Sequence, residues 1–124
     1  MPVRGIRGAT TAAANTHEAI LGATRELLSA IVRANDVCAS DIASVFFTVT
    51  SDLNAAFPAR AARDLGWNEA ALLDAYAPDV EGDVPRCIRV LIHWNTERAA
   101  HEIKHVYLRE AKKLRPDHAV ENPT

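Results

Sequence analysis

The stretch Cys87-Ile88-Arg89-Val90-Leu91-Ile92-His93-Trp94 decides how this chain of 124 residues folds. Its alternating pattern is typical of a β-strand. One face of the predicted strand carries Ile88, Val90, Ile92 and Trp94, and the other carries Cys87, Arg89, Leu91 and His93. A guanidinium stays charged at any working pH, so Arg89 on a mostly apolar strand needs an anionic partner or water.

Helices and strands alternate on both sides of this strand. The apolar spacing over 17–34 predicts the longest helix, with Asn15 or Thr16 as its cap. The other predicted elements are strands over 3–9, 45–50, 71–76 and 105–108, short helices over 58–65 and 97–103, and the quoted strand extended to 86–95. This order predicts a mixed α/β domain with helices packed on one face of the sheet. Because the other face of the central strand is half apolar, we expect a second subunit to cover it in a closed oligomer.

Composition and charge exclude several classes of protein. Hydrophobic residues make up 48% of the chain, charged residues 24%, and the net charge is −2. No Lys/Arg run or basic-aromatic stripe is present, so we expect no nucleic-acid partner. The chain has no apolar run of about 18 residues, the length needed to span a membrane. Cys38 and Cys87 form no CxxC pair, so we expect reduced thiols. Residues 1–7 lack the apolar region of a signal peptide, so we expect a cytoplasmic protein.

A metal-binding pattern is present in His101-Glu102-Ile103-Lys104-His105, which matches H-E-x-x-H. On a helix the two imidazoles would share a face and bind zinc, with Glu102 as general base. The pattern falls at a predicted junction between helix and strand, which argues against a shared face. Possible third ligands are Glu110, Asp117 and His118. We expect no metal site here and no cofactor.

Other catalytic patterns are missing, whereas arginines are prominent. The chain has no G-x-S-x-G motif and no glycine-rich phosphate loop. Its acidic loop, with Asp79, Glu81 and Asp83, is more simply explained as solvated than as a calcium site. Arg7, Arg89 and Arg115 stand in constrained settings, with Tyr107 on the last predicted strand. The arginines could each pair with an internal carboxylate. As a set with few nucleophiles, they favour recognition of a small molecule rich in carboxylates.

Four separated blocks of the sequence resemble the monofunctional chorismate mutases of the trimeric α/β type. The blocks are Arg4-Gly5-Ile6-Arg7-Gly8-Ala9-Thr10-Thr11, Phe57-Pro58-Ala59-Arg60-Ala61-Ala62-Arg63, Cys87-Ile88-Arg89-Val90, and His105 to Ala111 with Leu114-Arg115-Pro116-Asp117. The resemblance implies a single domain over 1–117, a flexible tail over 118–124, and a trimeric pseudo-α/β-barrel with active sites at subunit interfaces.

The resemblance also implies roles for individual residues. Arg7 and Tyr107 would bind substrate carboxylates, and Arg89 would be the catalytic cation beside the breaking ether oxygen. The neighbouring subunit would contribute Phe57, Arg60 and Arg63, and Arg115 would lie in a segment that partly covers the site. The predicted strand over 71–76 and the residue after it would also line the pocket, with Leu73, Ala75, Tyr76 and Ala77.

One position departs from the family pattern. The family usually carries a glutamate shortly before the Asp79-Val80 pair, facing the ring hydroxyl of the substrate, and this chain has Ala77 there. We expect Asp74, three residues earlier, to supply the missing carboxylate as a second catalytic residue. The alternative is that Asp74 is a solvent-facing strand residue and the site lacks this anion.

The expected reaction is the [3,3] rearrangement of chorismate to prephenate, in phenylalanine and tyrosine biosynthesis. It needs no nucleophile, in agreement with the residues present. The alternative is a non-catalytic trimeric module that binds a small carboxylate metabolite at its subunit interfaces. A zinc hydrolase would depend on the H-E-x-x-H match alone.

Overall fold

The structure, a computed structural model, describes residues 1–115 and contains a five-stranded mixed sheet. Its elements are β1 (Val3–Thr11), α1 (His17–Asn35), β2 (Ile42–Val49), α2 (Ala59–Asp64), β3 (Ala71–Tyr76), β4 (Cys87–Asn95) and β5 (Val106–Tyr107). The strand order is β3-β2-β4-β1-β5. β4 runs antiparallel to β1 and β2, while β3 is parallel to β2 and β5 is parallel to β1.

The hydrophobic core lies between the sheet and the two helices, on one side of the sheet. The alternation predicted for the central strand is confirmed, because Ile88, Val90, Ile92 and Trp94 are buried. They pack with strand residues such as Phe47 against the apolar stripe of α1. The prediction of a mixed α/β domain with helices on one face is therefore confirmed.

The ends of the helices follow local sequence signals. Thr16 caps α1, its side-chain oxygen accepting a hydrogen bond from the backbone N–H of Ala19 at 3.1 Å. Asp36 ends the same helix in a left-handed conformation with φ of 57°. Gly66 follows α2 with φ of +89°, a conformation that glycine adopts without steric cost.

The predicted helix over 97–103 is wrong. The structure has only the 3₁₀ turn Ala100–Glu102 there. Thr96 accepts a hydrogen bond from the N–H of Arg98, two residues on, at 3.2 Å. Because this local turn competes with helix initiation, the segment does not start an α-helix. His101 and His105 therefore share no helical face, and within residues 1–115 no group of three His, Cys, Asp or Glu side chains could hold a metal ion.

The sheet side away from the helices, called the open face, carries both charged and apolar side chains. Arg7, Arg89 and Leu91 lie on it, together with the exposed apolar residues Phe46 and Leu73. Phe46 is 42% exposed and Leu73 is 56% exposed. Two further turns, Ala39–Asp41 and Arg109–Lys113, complete the described fold. No helix among the described residues is long and apolar enough to cross a membrane.

The predicted tail over 118–124 lies outside the described residues, as do Asp117 and His118.

Candidate active site

Strand register brings five of the predicted site residues to the open face: Arg7, Arg89, Tyr107, Leu73 and Ala75. Thr48, Arg89, Ala9 and Tyr107 stand in one row across β2, β4, β1 and β5. Paired residues on neighbouring strands project to the same side of a sheet, and strands are about 4.8 Å apart, so Arg89 and Tyr107 are separated by about 10 Å at their Cα atoms. Arg7 lies two residues before Ala9 on β1 and therefore projects to the same side.

Arg89 lines a cavity of about 450 Å³, which we call the Arg89 cavity. Its walls also include Thr48, Ala77 and the loop that precedes β4. The guanidinium Nη2 donates to Oδ1 of Asp83 at 2.8 Å, and the two side chains are 20% and 21% exposed. This hydrogen bond lowers the pKa of the Asp83 carboxyl, so the pair is ionised at neutral pH.

The sequence reasoning assigned Asp83 to a solvated acidic loop and missed this contact. The available signal was the requirement of Arg89 for an anion, but the turn that returns residue 83 to β4 could not be seen in the sequence.

Tyr107 has a buried hydroxyl group that can serve a ligand. The residue is fully buried and packs with Ala9, Cys87 and Ala111. Its hydroxyl has no hydrogen-bond partner within residues 1–115. A buried polar group without a partner is costly, so a ligand oxygen that accepted from this hydroxyl would relieve that cost.

Arg7 is exposed on the open face, and its backbone is held by the side chain of His105, which directly precedes β5. Its N–H donates to Nδ1 of His105 at 2.9 Å. The imidazole of His105 thus joins the end of the H-E-x-x-H pattern to β1.

Cys87 is not available as a nucleophile. It is fully buried, and burial raises the pKa of its thiol to about 11. The thiol therefore stays protonated at neutral pH.

A second group of predicted residues surrounds a different cavity, of about 420 Å³, which we call the helix-side cavity. Its lining includes five residues from the sequence prediction in addition to Asp74: Phe57, Arg60, Arg63, Ala75 and Tyr76. Phe57 is 71% exposed and Tyr76 is 62% exposed. Arg60 makes an exposed ion pair with Asp64 at 3.3 Å.

Asp74 is a half-buried residue that contacts α2. Its Oδ1 accepts a hydrogen bond from the backbone N–H of Ala59 at 3.0 Å. Burial raises the pKa of the Asp74 carboxyl, while the Ala59 hydrogen bond and the charge of Arg63 act in the opposite direction. Asp74 and Ala77 line different cavities of the chain.

Four predicted residues lie outside both cavities, and two of them, Arg7 and Tyr107, are described above. Leu73 is on the open face of β3, and Arg115 is exposed after the turn Arg109–Lys113.

Arg89 and Asp74, the two predicted catalytic residues, project to opposite sides of the sheet. Arg7, Arg89 and Tyr107 project from the open face, whereas Asp74 pairs with Phe47 and projects to the helix side. Each group can bind an anion through its arginines. Within one chain, Arg89 and Asp74 line different cavities, so neither cavity contains both of the predicted catalytic residues.

Comparison with known proteins gives the family. The model of chorismate mutase type I matches residues 3–118. Chorismate mutase AroH of Thermus thermophilus is 53% identical over 116 residues, which are 93% of this chain and 95% of that protein. Chorismate mutase AroH of Bacillus subtilis is 41% identical over 118 residues, or 94% of this chain and 93% of that one.

A solved structure leads to the same family. A chorismate mutase from Clostridium thermocellum superposes with a TM-score of 0.86 at 48% sequence identity, covering 88% of this chain and 97% of that one. The resemblance found in the four sequence blocks is thereby confirmed. Since the family model and both relatives span nearly the whole chain, this protein belongs to the chorismate mutase type I family.

Proposed function

We propose that this protein is an isomerase that converts chorismate to prephenate in pockets formed between the subunits of a homotrimer. Family membership supports the reaction and its place in aromatic amino acid biosynthesis. The observation that supports an interfacial pocket is the separation of Arg60 and Arg63 from Arg89, since they line different cavities.

A pocket between subunits resolves this separation. The helix-side cavity of one subunit, with Arg60, Arg63 and Asp74, would face the Arg89 cavity of the next. The apolar part of the open face supports the assembly, because Phe46 and Leu73 leave large apolar area in water unless another subunit covers it. A cyclic trimer repeats one such contact three times and closes.

The first contribution of the site is to hold the reactive conformer. Arg7, Tyr107 and the interface arginines would bind the two carboxylates of chorismate, so that the ends of the new C–C bond are held close together. Holding reacting atoms in contact removes much of the entropic part of the barrier. The exposed Phe57 would cover the substrate from the neighbouring subunit.

The second contribution is electrostatic. In the [3,3] shift the C–O ether bond breaks while the C–C bond forms, and negative charge grows on the ether oxygen. Arg89 would place a fixed positive charge beside that oxygen. Asp74 would bind the ring hydroxyl and complement the positive character of the ring. A preorganised donor of this kind contributes about 3–4 kcal/mol in other enzymes that stabilise an oxyanion.

The test is the loss of chorismate absorbance with purified protein after EDTA treatment. We expect saturable turnover with formation of prephenate in proportion. Binding of chorismate without turnover would instead support the non-catalytic module. Turnover that was abolished by EDTA and restored by zinc would contradict the site described here.

We also propose that the protein acts in the cytoplasm. Cys38 and Cys87, its two cysteines, are both free thiols, which agrees with a reducing compartment.

A further inference from the structure

Asp83 holds the Arg89 guanidinium through one of its nitrogen atoms and leaves the other hydrogen-bond donors unengaged among the described residues. A single amino group, Nη2, donates to Oδ1 of Asp83 at 2.8 Å. Within residues 1–115, Nε and Nη1 of Arg89 make no hydrogen bond. An arginine pair elsewhere in the chain differs, because Arg109 uses both Nε and Nη2 on the carboxylate of Glu26, at 3.1 and 3.2 Å.

The loop holds the Asp83 carboxylate in place. Oδ1 also accepts a hydrogen bond from the backbone N–H of Val84 at 2.8 Å. The backbone N–H of Asp83 donates to the carbonyl of Val80 at 3.1 Å, which closes a turn. Gly82 within this turn has φ of +85°, a conformation that other residues adopt only with strain. The carboxylate is therefore presented from a defined turn.

Arg89 needs such support because its own side chain is long. An arginine side chain has several rotatable bonds, and a free guanidinium samples many positions. A charge that stabilises a developing oxyanion is effective only when it is already oriented. A guanidinium held by one amino group is oriented, and its other donors remain available to the substrate.

We infer that Asp83 is a positioning residue for the rearrangement, holding the Arg89 guanidinium by one amino group so that its remaining N–H donors serve the substrate. This inference rests on the proposed function. It differs from the assignment of Asp74, which lies on the helix side, because Asp83 shares a cavity with Arg89 in the same chain.

A competing interpretation makes the opposite prediction. If Asp83 only occupied the place of a substrate carboxylate, it would compete with chorismate for Arg89. Its removal would then lower KM and leave kcat unchanged. If Asp83 positions Arg89, its removal lowers kcat, since the guanidinium loses its orientation.

The experiment is a double-mutant cycle on chorismate turnover, with Asp83→Ala and Asp83→Asn each made in wild-type protein and in the Arg89→Lys variant. We expect Asp83→Ala to lower kcat by about ten- to a hundredfold. Asp83→Asn, which retains an oxygen to accept from Nη2 and from Val84, should recover part of that loss. In the Arg89→Lys background, we expect Asp83→Ala to change kcat by less than about threefold, since its partner is already altered.

The matched control is Asp79→Asn, which removes a charge from the same loop. Asp79 contacts only the hydroxyl of Ser51 at 3.5 Å among the hydrogen bonds of residues 1–115, so wild-type kcat is expected. Circular dichroism and thermal unfolding identify any variant that does not fold. If Asp83→Ala does not fold, the kinetics of Asp83→Asn test the inference. Additive losses in the cycle, a fall in KM alone, or wild-type kcat in both Asp83 variants would overturn the inference. Absence of turnover in the wild-type protein would instead overturn the proposed function.

Discussion

Arg89 offers two separable properties, its charge and its planar shape. Replacement by the neutral isostere citrulline retains much of the shape, whereas Arg89→Lys retains a cation without the planar fork. If the charge stabilises the ether oxygen, citrulline should lower kcat by more than about a hundredfold with a smaller effect on KM. Steady-state kinetics with semisynthetic protein measures this. An effect on KM alone would mean that Arg89 only holds the substrate.

Asp74 is the residue whose proposed function can be tested by restoration. We expect Asp74→Asn to depress turnover strongly without unfolding the protein, because the asparagine oxygen can still accept from the N–H of Ala59. Asp74→Cys combined with Ala77→Glu should restore turnover by returning the usual family arrangement. Near-wild-type activity of Asp74→Asn would show that the carboxylate is supplied from elsewhere or is not required.

The same substitution has a consequence for stability that depends on pH. The pKa of Asp74 is raised in the fold, mainly by burial, so its ionised form is less favourable there than in the unfolded chain. At pH 7 Asp74→Asn should therefore raise the melting temperature. As the pH falls through the raised pKa, the wild-type carboxyl takes up a proton and this advantage should shrink. Thermal unfolding from pH 7 to pH 4 measures the difference, and an advantage that grew on acidification would contradict the burial argument.

At the scale of elements, the contact of α1 with the sheet depends on a missing side chain. A Cβ added to Gly8 of β1 would lie 2.7 Å from Cδ1 of Ile31 and 3.2 Å from the carbonyl oxygen of Val106. Gly8→Ala should therefore destabilise the fold by about 1–3 kcal/mol, the usual cost of overpacking. Gly22 within α1 has open space around its Cα, so Gly22→Ala should instead stabilise by up to about 1 kcal/mol. Urea unfolding measures both, and equal effects would contradict the packing argument.

How well each element could be predicted depended on how local its determinants are. Strand β3 was predicted with its observed bounds and α1 to within one residue, because alternation, apolar spacing and capping residues are properties of neighbouring positions. The helix predicted after Thr96 is wrong because Thr96 forms a two-residue turn with Arg98 instead of capping a helix. The pairing of Asp83 with Arg89 depends on how a loop returns to the sheet, and no periodic pattern encodes that path.

At the scale of the whole molecule, the candidate site residues are predicted from the sequence and its resemblance, but the placement of Asp74 and Arg89 in different cavities is not predictable from it. Period-two alternation puts Arg7 and Arg89 on predicted faces of their strands. The position of Asp74 relative to them depends on the strand order β3-β2-β4-β1-β5, which joins segments distant in the chain. In this order Asp74 and Arg89 line different cavities of one chain, so the complete pocket that we propose needs a second subunit.

Mixing of subunits tests that necessity directly. Arg89→Ala disables one group and Arg63→Ala disables the other, so each homotrimer should lose most of its activity. When the two variants are unfolded together and refolded at equal amounts, an interfacial site is intact wherever an Arg89-bearing subunit meets an Arg63-bearing neighbour. In a cyclic trimer with random assortment, about a quarter of the sites satisfy this condition, so about a quarter of wild-type turnover should return. Separately refolded variants that are mixed afterwards serve as the control. If no activity returns in mixed trimers, or if ultracentrifugation finds an active monomer at micromolar concentration, the pocket is contained within one chain.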